Sequence, residues 1–217
     1  MKILVCISHV PDTTSKINFT NNNTEFDSTG ITYVINPYDE FGLTRAMVIK
    51  ETIGASITVV NVGPANTEPT LRKALAIGAD NAVRINAEAT DAHFVARLIA
   101  NYAKNENFDL VITGRESIDY NGGVVPGLLA TYLDMPFVNA CLGLELNGNH
   151  ASVIREIDGG KETLEGDLPM LLAGQKGLVE EKDLRIPAMR GIMMARKKPL
   201  VVIEPNDTLK QTSVQEY

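Results

Sequence analysis

Apolar residues along this chain fall into short unbroken blocks, separated by stretches where they recur at every third or fourth position. Unbroken blocks suit strands covered on both faces, and the spaced pattern suits helices with one buried side. Ile3-Leu4-Val5-Cys6-Ile7 is the first block. It runs into Ser8-His9-Val10-Pro11, and Pro11 cannot continue a ladder, so the chain leaves the sheet there. Residues 18–30 are polar and predict a surface excursion around Asn21-Asn22-Asn23. Ile31 to Ile35 predicts a short edge strand. Asn36-Pro37-Tyr38-Asp39-Glu40 opens a helix, with Asn36 or Asp39 as its cap and the acidic pair at its positive end. Leu43, Ala46, Met47 and Ile53 fit one buried face, and Gly54 ends the helix.

The alternation continues. Ser56 to Val62 is a second strand, closed by Gly63-Pro64. Asn66 and Thr67 can cap the next helix, whose Leu71, Ala74 and Leu75 share a face and which stops at Gly78. Ala82 to Ile85 is a third strand. Thr90-Asp91 caps an amphipathic helix with Phe94, Val95, Leu98, Ile99 and Tyr102 at helical spacing. Leu110 to Thr113 is a fourth strand, and Leu128 to Leu133 a further helix. Strands alternating with crossover helices predict an α/β fold, a doubly wound and mostly parallel sheet. The last third changes character. Leu142–Leu146, Ala151–Ile157 and Lys161–Gly166, with the Asp158-Gly159 turn, predict an antiparallel extension. Leu200 to Glu204 is a last strand, and the polar tail after Pro205 has too little apolar surface to fold alone. The chain thus divides into an α/β domain with its antiparallel extension, residues 1–180, and a terminal arm, residues 181–217.

Candidate chemistry gathers where strand ends converge: Cys6-Ile7-Ser8, Val62-Gly63 and Thr113-Gly114. Ligands of open α/β sheets bind in that crevice. The segment Gly114 to Gly127 joins a strand to a helix through Gly122-Gly123, which suits backbone N–H groups aimed at an anion. It lacks the lysine of a phosphate-binding P-loop and the spacing of a dinucleotide fingerprint. An ordinary βα turn explains the same glycines, so both readings stand at this point. A nucleotide-type ligand with its phosphate on Gly122-Gly123 is the sharper one. Near the other end, Arg185 to Met194 is methionine-rich, which suits either an adaptable partner surface or a short helix covering the sheet.

Composition narrows the function. With 217 residues and 44% apolar content, one large domain or a domain with an extension is expected. Met1 to Ile7 reads as a strand rather than a signal peptide, and no apolar run reaches the roughly 18 residues of a membrane span. Cys6 and Cys141 fit no metal or redox spacing, which points to a reducing cytoplasm. A net charge of −7 argues against a general nucleic-acid binder. Arg196-Lys197-Lys198 is a short basic cluster of the kind that is usually a solvated surface. His9, His93 and His150 are scattered, and Glu116 with Asp119 makes a weak acid/base pair. The absence of a catalytic set favours a binding or carrier protein over a hydrolase or transferase.

Several segments together resemble the β subunit of electron transfer flavoprotein. These are Asn36-Pro37-Tyr38-Asp39-Glu40; Val62-Gly63-Pro64 with Ala74 to Asp80; Ile118-Asp119; Arg155-Glu156-Ile157-Asp158-Gly159-Gly160-Lys161-Glu162-Thr163; and Pro187-Ala188-Met189-Arg190-Gly191-Ile192-Met193 with the basic residues after it. The resemblance covers nearly the whole chain in order. It implies an adenine-nucleotide α-hydrolase-like fold and a heterodimer with an α subunit, on which residues 181–217 pack. That subunit would hold most of the FAD, and this chain would bury AMP as a structural nucleotide. By position, Cys6, Asn36, Val62, Asp119, Gly122, Gly123, Val124 and Val125 would surround the AMP. Thr13 and Tyr38 would approach the flavin. Arg155, Glu156, Pro187, Met189, Ile192 and Met193 would meet partners. Glu156 matches an acid that pairs with a basic residue of the FAD domain. Met189 stands where an apolar anchor, usually Leu, enters a pocket on acyl-CoA dehydrogenases. Electrons would pass on to a membrane quinone oxidoreductase. The chain departs from the family at Gly123-Val124-Val125-Pro126, where polar side chains and a glycine are usual, so phosphate binding would lean on backbone N–H groups. The loop does not resemble that of relatives that bind a second FAD, which favours AMP. The rival is a free-standing universal-stress-type nucleotide module, which would need neither the 155–163 segment nor the 187–193 loop.

Overall fold

The computed structural model describes residues 1–205 and Thr212. The chain runs through β1 (Lys2–Cys6), β2 (His9–Pro11), β3 (Phe19–Thr20), β4 (Glu25–Phe26), β5 (Tyr33–Ile35), α1 (Pro37–Ile53), β6 (Ser56–Val62), α2 (Glu68–Ile77) and β7 (Asn81–Ile85). It continues through α3 (Ala92–Ala103), β8 (Leu110–Gly114), α4 (Val125–Leu133), β9 (Phe137–Asn147), β10 (His150–Ile157), β11 (Gly160–Asp167), β12 (Met170–Gly174), α5 (Met189–Ala195) and β13 (Leu200–Ile203). Nine strands form one sheet in the order β11-β10-β9-β12-β8-β1-β6-β7-β13. From β1 the chain winds outward through β6 and β7. It then returns to the other flank of β1 with β8, so the winding reverses between β1 and β8.

Alternation along the strands builds two cores. Ile3, Val5, Ile57, Val59, Leu110 and Ile112 face the helices α1 and α2. Leu4, Val60, Val83 and Val111, the residues between them, face α3 and α4. The expected α/β, doubly wound and mostly parallel sheet is therefore present. The antiparallel hairpins β9-β10-β11 extend the same sheet, with Leu144, Ala151 and Val153 joining the first core.

Some local expectations are corrected. The chain leaves the main sheet after Cys6, and the strand through Pro11 pairs with β5 in a separate two-stranded ribbon. The polar excursion contains a small hairpin, β3-β4. Ile53 is 55% exposed, at the end of α1 where the helix runs past the core. Asn36 holds the cap position of α1 but makes no side-chain cap, and Asp39 does not cap the helix, because both side chains are bonded elsewhere. Thr67 does not cap α2 through its side chain; its hydroxyl donates to the Pro64 carbonyl at 2.9 Å. Asp91 does cap α3, accepting from the Phe94 N–H at 2.7 Å. The polar tail expected after Pro205 lies, apart from Thr212, outside the described residues.

Beyond Leu178 the chain crosses the α1/α2 face of the sheet. The Arg185 N–H donates to Thr44 Oγ1 at 3.3 Å, and its guanidinium pairs with Glu51 at 2.7 Å. The helix α5 then sits on α2, and β13 returns to the sheet beside β7. Arg72 donates to the carbonyls of Ala195 (2.8 Å) and Lys198 (2.9 Å), while Lys198 Nζ donates to the carbonyls of Leu75 (2.9 Å) and Ala79 (2.6 Å). The Lys198 contacts satisfy carbonyls at the end of α2, and those of Arg72 do so at the end of α5, places where cations are favoured. The approach of the two helices is closest at Gly191, where a Cβ would collide with the Ala76 carbonyl oxygen. Gly191→Ala is expected to lift α5 and to lower stability by about 2 kcal/mol. A denaturant midpoint equal to that of the parent would show that the approach carries no such constraint.

Candidate nucleotide site

The carboxyl ends of β1, β6, β7 and β8 open into a cavity of about 560 Å³. One wall carries Cys6, Ser8 and His9 after β1, and Asn61, Val62, Gly63 and Pro64 at the end of β6. Thr113, Gly114, Glu116, Asp119 and the turn 122–126 close the second wall. A third wall, not expected from the sequence, is Glu88 to Ala92 with Val95 and Ile99 of α3. The signal for it was present: a capped helix follows β7, as helices follow the other converging strands.

The crevice is held open by two buried side chains from the start of α1. Asp39, 3% exposed, accepts from the Ser8 N–H at 2.7 Å and the Gly114 N–H at 2.8 Å, tying together the ends of β1 and β8. Burial pushes its carboxyl up to about 7, against the opposing pull of those hydrogen bonds and of one from Asn36. Asn36 is fully buried; its Nδ2 donates to the Glu116 carbonyl at 2.9 Å and its Oδ1 accepts from the Ile118 N–H at 3.2 Å. Asn36 therefore does not line the cavity but braces the loop that does. Gly114 must be glycine here, since a Cβ would strike Asp39 Oδ1 and lie 2.8 Å from Tyr38 Cβ.

The loop itself ends in the first turn of α4, which begins at Val125, three residues before the expected start. Asn121 and Gly123 take positive φ, 51° and 59°. Gly122 does not, and a Cβ built there meets nothing within 4 Å, so its missing side chain leaves open space in the wall. The backbone N–H groups of Gly122, Gly123 and Val124 meet no acceptor among the described residues. Such donors at a helix N-terminus attract anions. Across the cavity, Asn61 donates through Nδ2 to the Ile7 carbonyl at 2.8 Å, which leaves its buried Oδ1 without a partner. His9 stacks on Tyr33, centroids 4.2 Å apart, and bonds Thr70 through Nδ1 at 2.8 Å, with Nε2 buried and unpartnered. Burial lowers the pKa of His9, and Asp119 opposes that shift. The Cys6 thiol is pushed up by burial first and by Asp39 second, so it stays neutral.

Of the residues expected around a nucleotide, Cys6, Val62, Asp119, Gly122, Gly123, Val124 and Val125 are brought together on the cavity wall. Thr13 is exposed on the segment after β2, and Tyr38 is half-buried against Gly114. The remaining residues lie away from the cavity. Arg155 pairs with Glu162 across the β10-β11 hairpin, and Glu156 is exposed. On α5 and the chain before it, Met189 is 75% exposed and Ile186 86% exposed, with Ile192 and Met193 also exposed and Pro187 half-buried. The short helix expected in the methionine-rich segment is present, on α2 rather than directly on the sheet, and it presents an apolar outer surface. Among the described residues no helix is long and apolar enough to cross a membrane.

The chain is similar over most of its length to known proteins. The electron transfer flavoprotein domain matches residues 24–208. The chain is 37% identical over 211 residues to the electron transfer flavoprotein subunit beta of Bacillus subtilis (strain 168), covering 95% of this chain and 80% of that protein. It is 34% identical over 202 residues to the subunit of that name from Syntrophomonas wolfei, covering 92% and 78% of the two chains. With the Homo sapiens subunit beta it shares 32% over 213 residues, covering 95% and 82%.

Proposed function

Because the chain belongs to the electron transfer flavoprotein family as a β subunit, we propose that it binds AMP in the crevice between β1 and β8 and pairs with an α subunit that carries FAD. The observation that carries the nucleotide reading is the run of unpartnered backbone donors on the wall of one cavity. Unpartnered N–H groups at Gly122, Gly123 and Val124, on the wall of that cavity, suit a phosphate. A volume of about 560 Å³ accommodates a mononucleotide. Pro126, the second residue of α4, offers no N–H, so the phosphate rests on the residues before it.

FAD supplies the redox chemistry when bound. This chain's residues bind, orient and shield, and no residue of it makes or breaks a bond. Thr13 and Tyr38 are the groups we assign to the flavin side. The apolar outer face of α5, with Met189 as anchor, is the surface we assign to acyl-CoA dehydrogenases as electron donors. Arg155 and Glu156 form the polar patch that meets the FAD-bearing domain, and a quinone oxidoreductase accepts the electrons.

The test is chemical. Heat-denatured heterodimer is expected to release AMP in near-equal amount to the protein; release of FAD as the sole nucleotide would refute the assignment. Gly122→Val is the matched variant. Its backbone φ is not positive and its Cβ meets open space, so the fold should hold while the new side chain fills the phosphate cradle. Expected is loss of most of the bound AMP, with a melting temperature equal to that of the parent stripped of its nucleotide.

A further inference from the structure

Gln175 directly follows β12, and its side chain belongs to none of the groups described so far. It is 5% exposed. Its backbone is fixed on both sides, the N–H donating to the Cys141 carbonyl at 3.2 Å and the carbonyl accepting from Leu178 at 3.1 Å. Arg115 Nη1 donates to Gln175 Oε1 at 2.9 Å. A guanidinium has donors only, so the amide oxygen must face Arg115 and the amide NH₂ must face the other way. There Nε2 donates to Glu156 Oε2 at 2.6 Å. Arg115 is itself anchored, its N–H on the Gly174 carbonyl at 2.9 Å and its Nε 3.7 Å from Glu116 Oε1. The result is a directed chain, Arg115 to Gln175 to Glu156, in which a buried amide holds an exposed carboxylate.

An exposed glutamate on a hairpin end would otherwise sample several rotamers, and ordering it at docking would oppose association. We propose that Gln175, oriented by Arg115, is a positioning residue that presents the Glu156 carboxylate in one arrangement to a cationic side chain of the flavin-bearing subunit. The proposal rests on the reading of Glu156 as the acid that meets the FAD domain.

The experiment uses the intact heterodimer, with an acyl-CoA dehydrogenase as electron donor. Flavin reduction is followed over a range of donor concentrations, alongside the melting temperature. Gln175→Leu removes the donor to Glu156 and is expected to lower the saturating rate about tenfold, with the half-saturating donor concentration and the melting temperature unchanged. Gln175→Glu still accepts from Arg115 but turns a carboxylate oxygen toward Glu156, and its loss should be at least as large. In a Glu156→Gln background both losses should vanish. A parental rate for Glu156→Gln overturns the reading of Glu156 itself, and the proposal with it. A slow Glu156→Gln beside parental rates for both Gln175 variants overturns the positioning role alone. Equal losses in both backgrounds, or a lowered melting temperature, would mean that Gln175 is merely structural and would also overturn it.

Discussion

Met189→Asp is expected to slow electron acceptance from an acyl-CoA dehydrogenase about thirtyfold, the effect of losing an interface anchor worth about 2 kcal/mol. Met189 is the first residue of α5 and is 75% exposed, so the folded chain does not depend on its burial. Around it Ile186, Ile192 and Met193 leave a contiguous apolar surface on a helix whose inner side is pinned to α2. An aspartate at the first position of a helix suits the positive end of its dipole, so α5 should persist. The charge must instead be desolvated wherever an apolar pocket would receive the side chain. Stopped-flow flavin reduction measures the rate, and thermal unfolding checks that the fold is intact. Met189→Leu keeps the volume and polarity and should keep the rate. Parental kinetics for Met189→Asp would remove this residue as the anchor.

Asp39→Leu should cost about 4 kcal/mol and empty the nucleotide site. The carboxylate accepts from Ser8 and Gly114, and leucine would leave two inward N–H groups without acceptors, at about 1–3 kcal/mol each. The same change unties the ends of β1 and β8, the two strands that frame the crevice. Asp39→Asn keeps one acceptor and should lose about half as much. Chemical denaturation gives the stability, and the AMP released on heating gives the occupancy. A variant that kept both would show that the tie is dispensable.

The acidity of Asp39 adds a pH signature. Its carboxyl is raised from an ordinary 3.8 to about 7 in the fold. The native state therefore holds a proton between those values that the unfolded chain has released. For a raised carboxyl the contribution is fully present below pH 4 and is lost as pH rises through 7. Over about three pH units at 1.36 kcal/mol each, that loss is on the order of 4 kcal/mol. The parent should accordingly lose stability relative to Asp39→Asn across this window. Parallel pH profiles for the two proteins would contradict the shift.

Much of this architecture was legible without coordinates because it depends on short-range patterns. Unbroken blocks such as Ile3 to Ile7 and Leu110 to Thr113 can be stable only as strands covered on both faces, and the helical stripe of Phe94, Leu98 and Ile99 only against a sheet. Alternating strands and crossover helices then leave few topologies, which places the strand ends and the glycine turn on one edge. Gly54 and Gly78 ended their helices as expected, and Asp91 capped its own.

The misses share one cause. Asn36 and Asp39 have the residue types and positions of helix caps, and a local rule can offer them only local partners. Their actual partners are Glu116, Ile118, Ser8 and Gly114, most of them far along the chain. The insertion of β12 between β8 and β9, the wall at Glu88 to Ala92 and the Arg115–Gln175–Glu156 chain are likewise contacts between segments that periodicity treats separately. The sequence by itself determined which segments become strands and helices, how they wind, and at which edge the cavity opens, because propensity, capping and burial period act within a few residues. Only the tertiary structure decided which buried polar groups brace that edge and which exposed ones it holds in place, because a buried donor or acceptor is satisfied by whatever the fold brings to it.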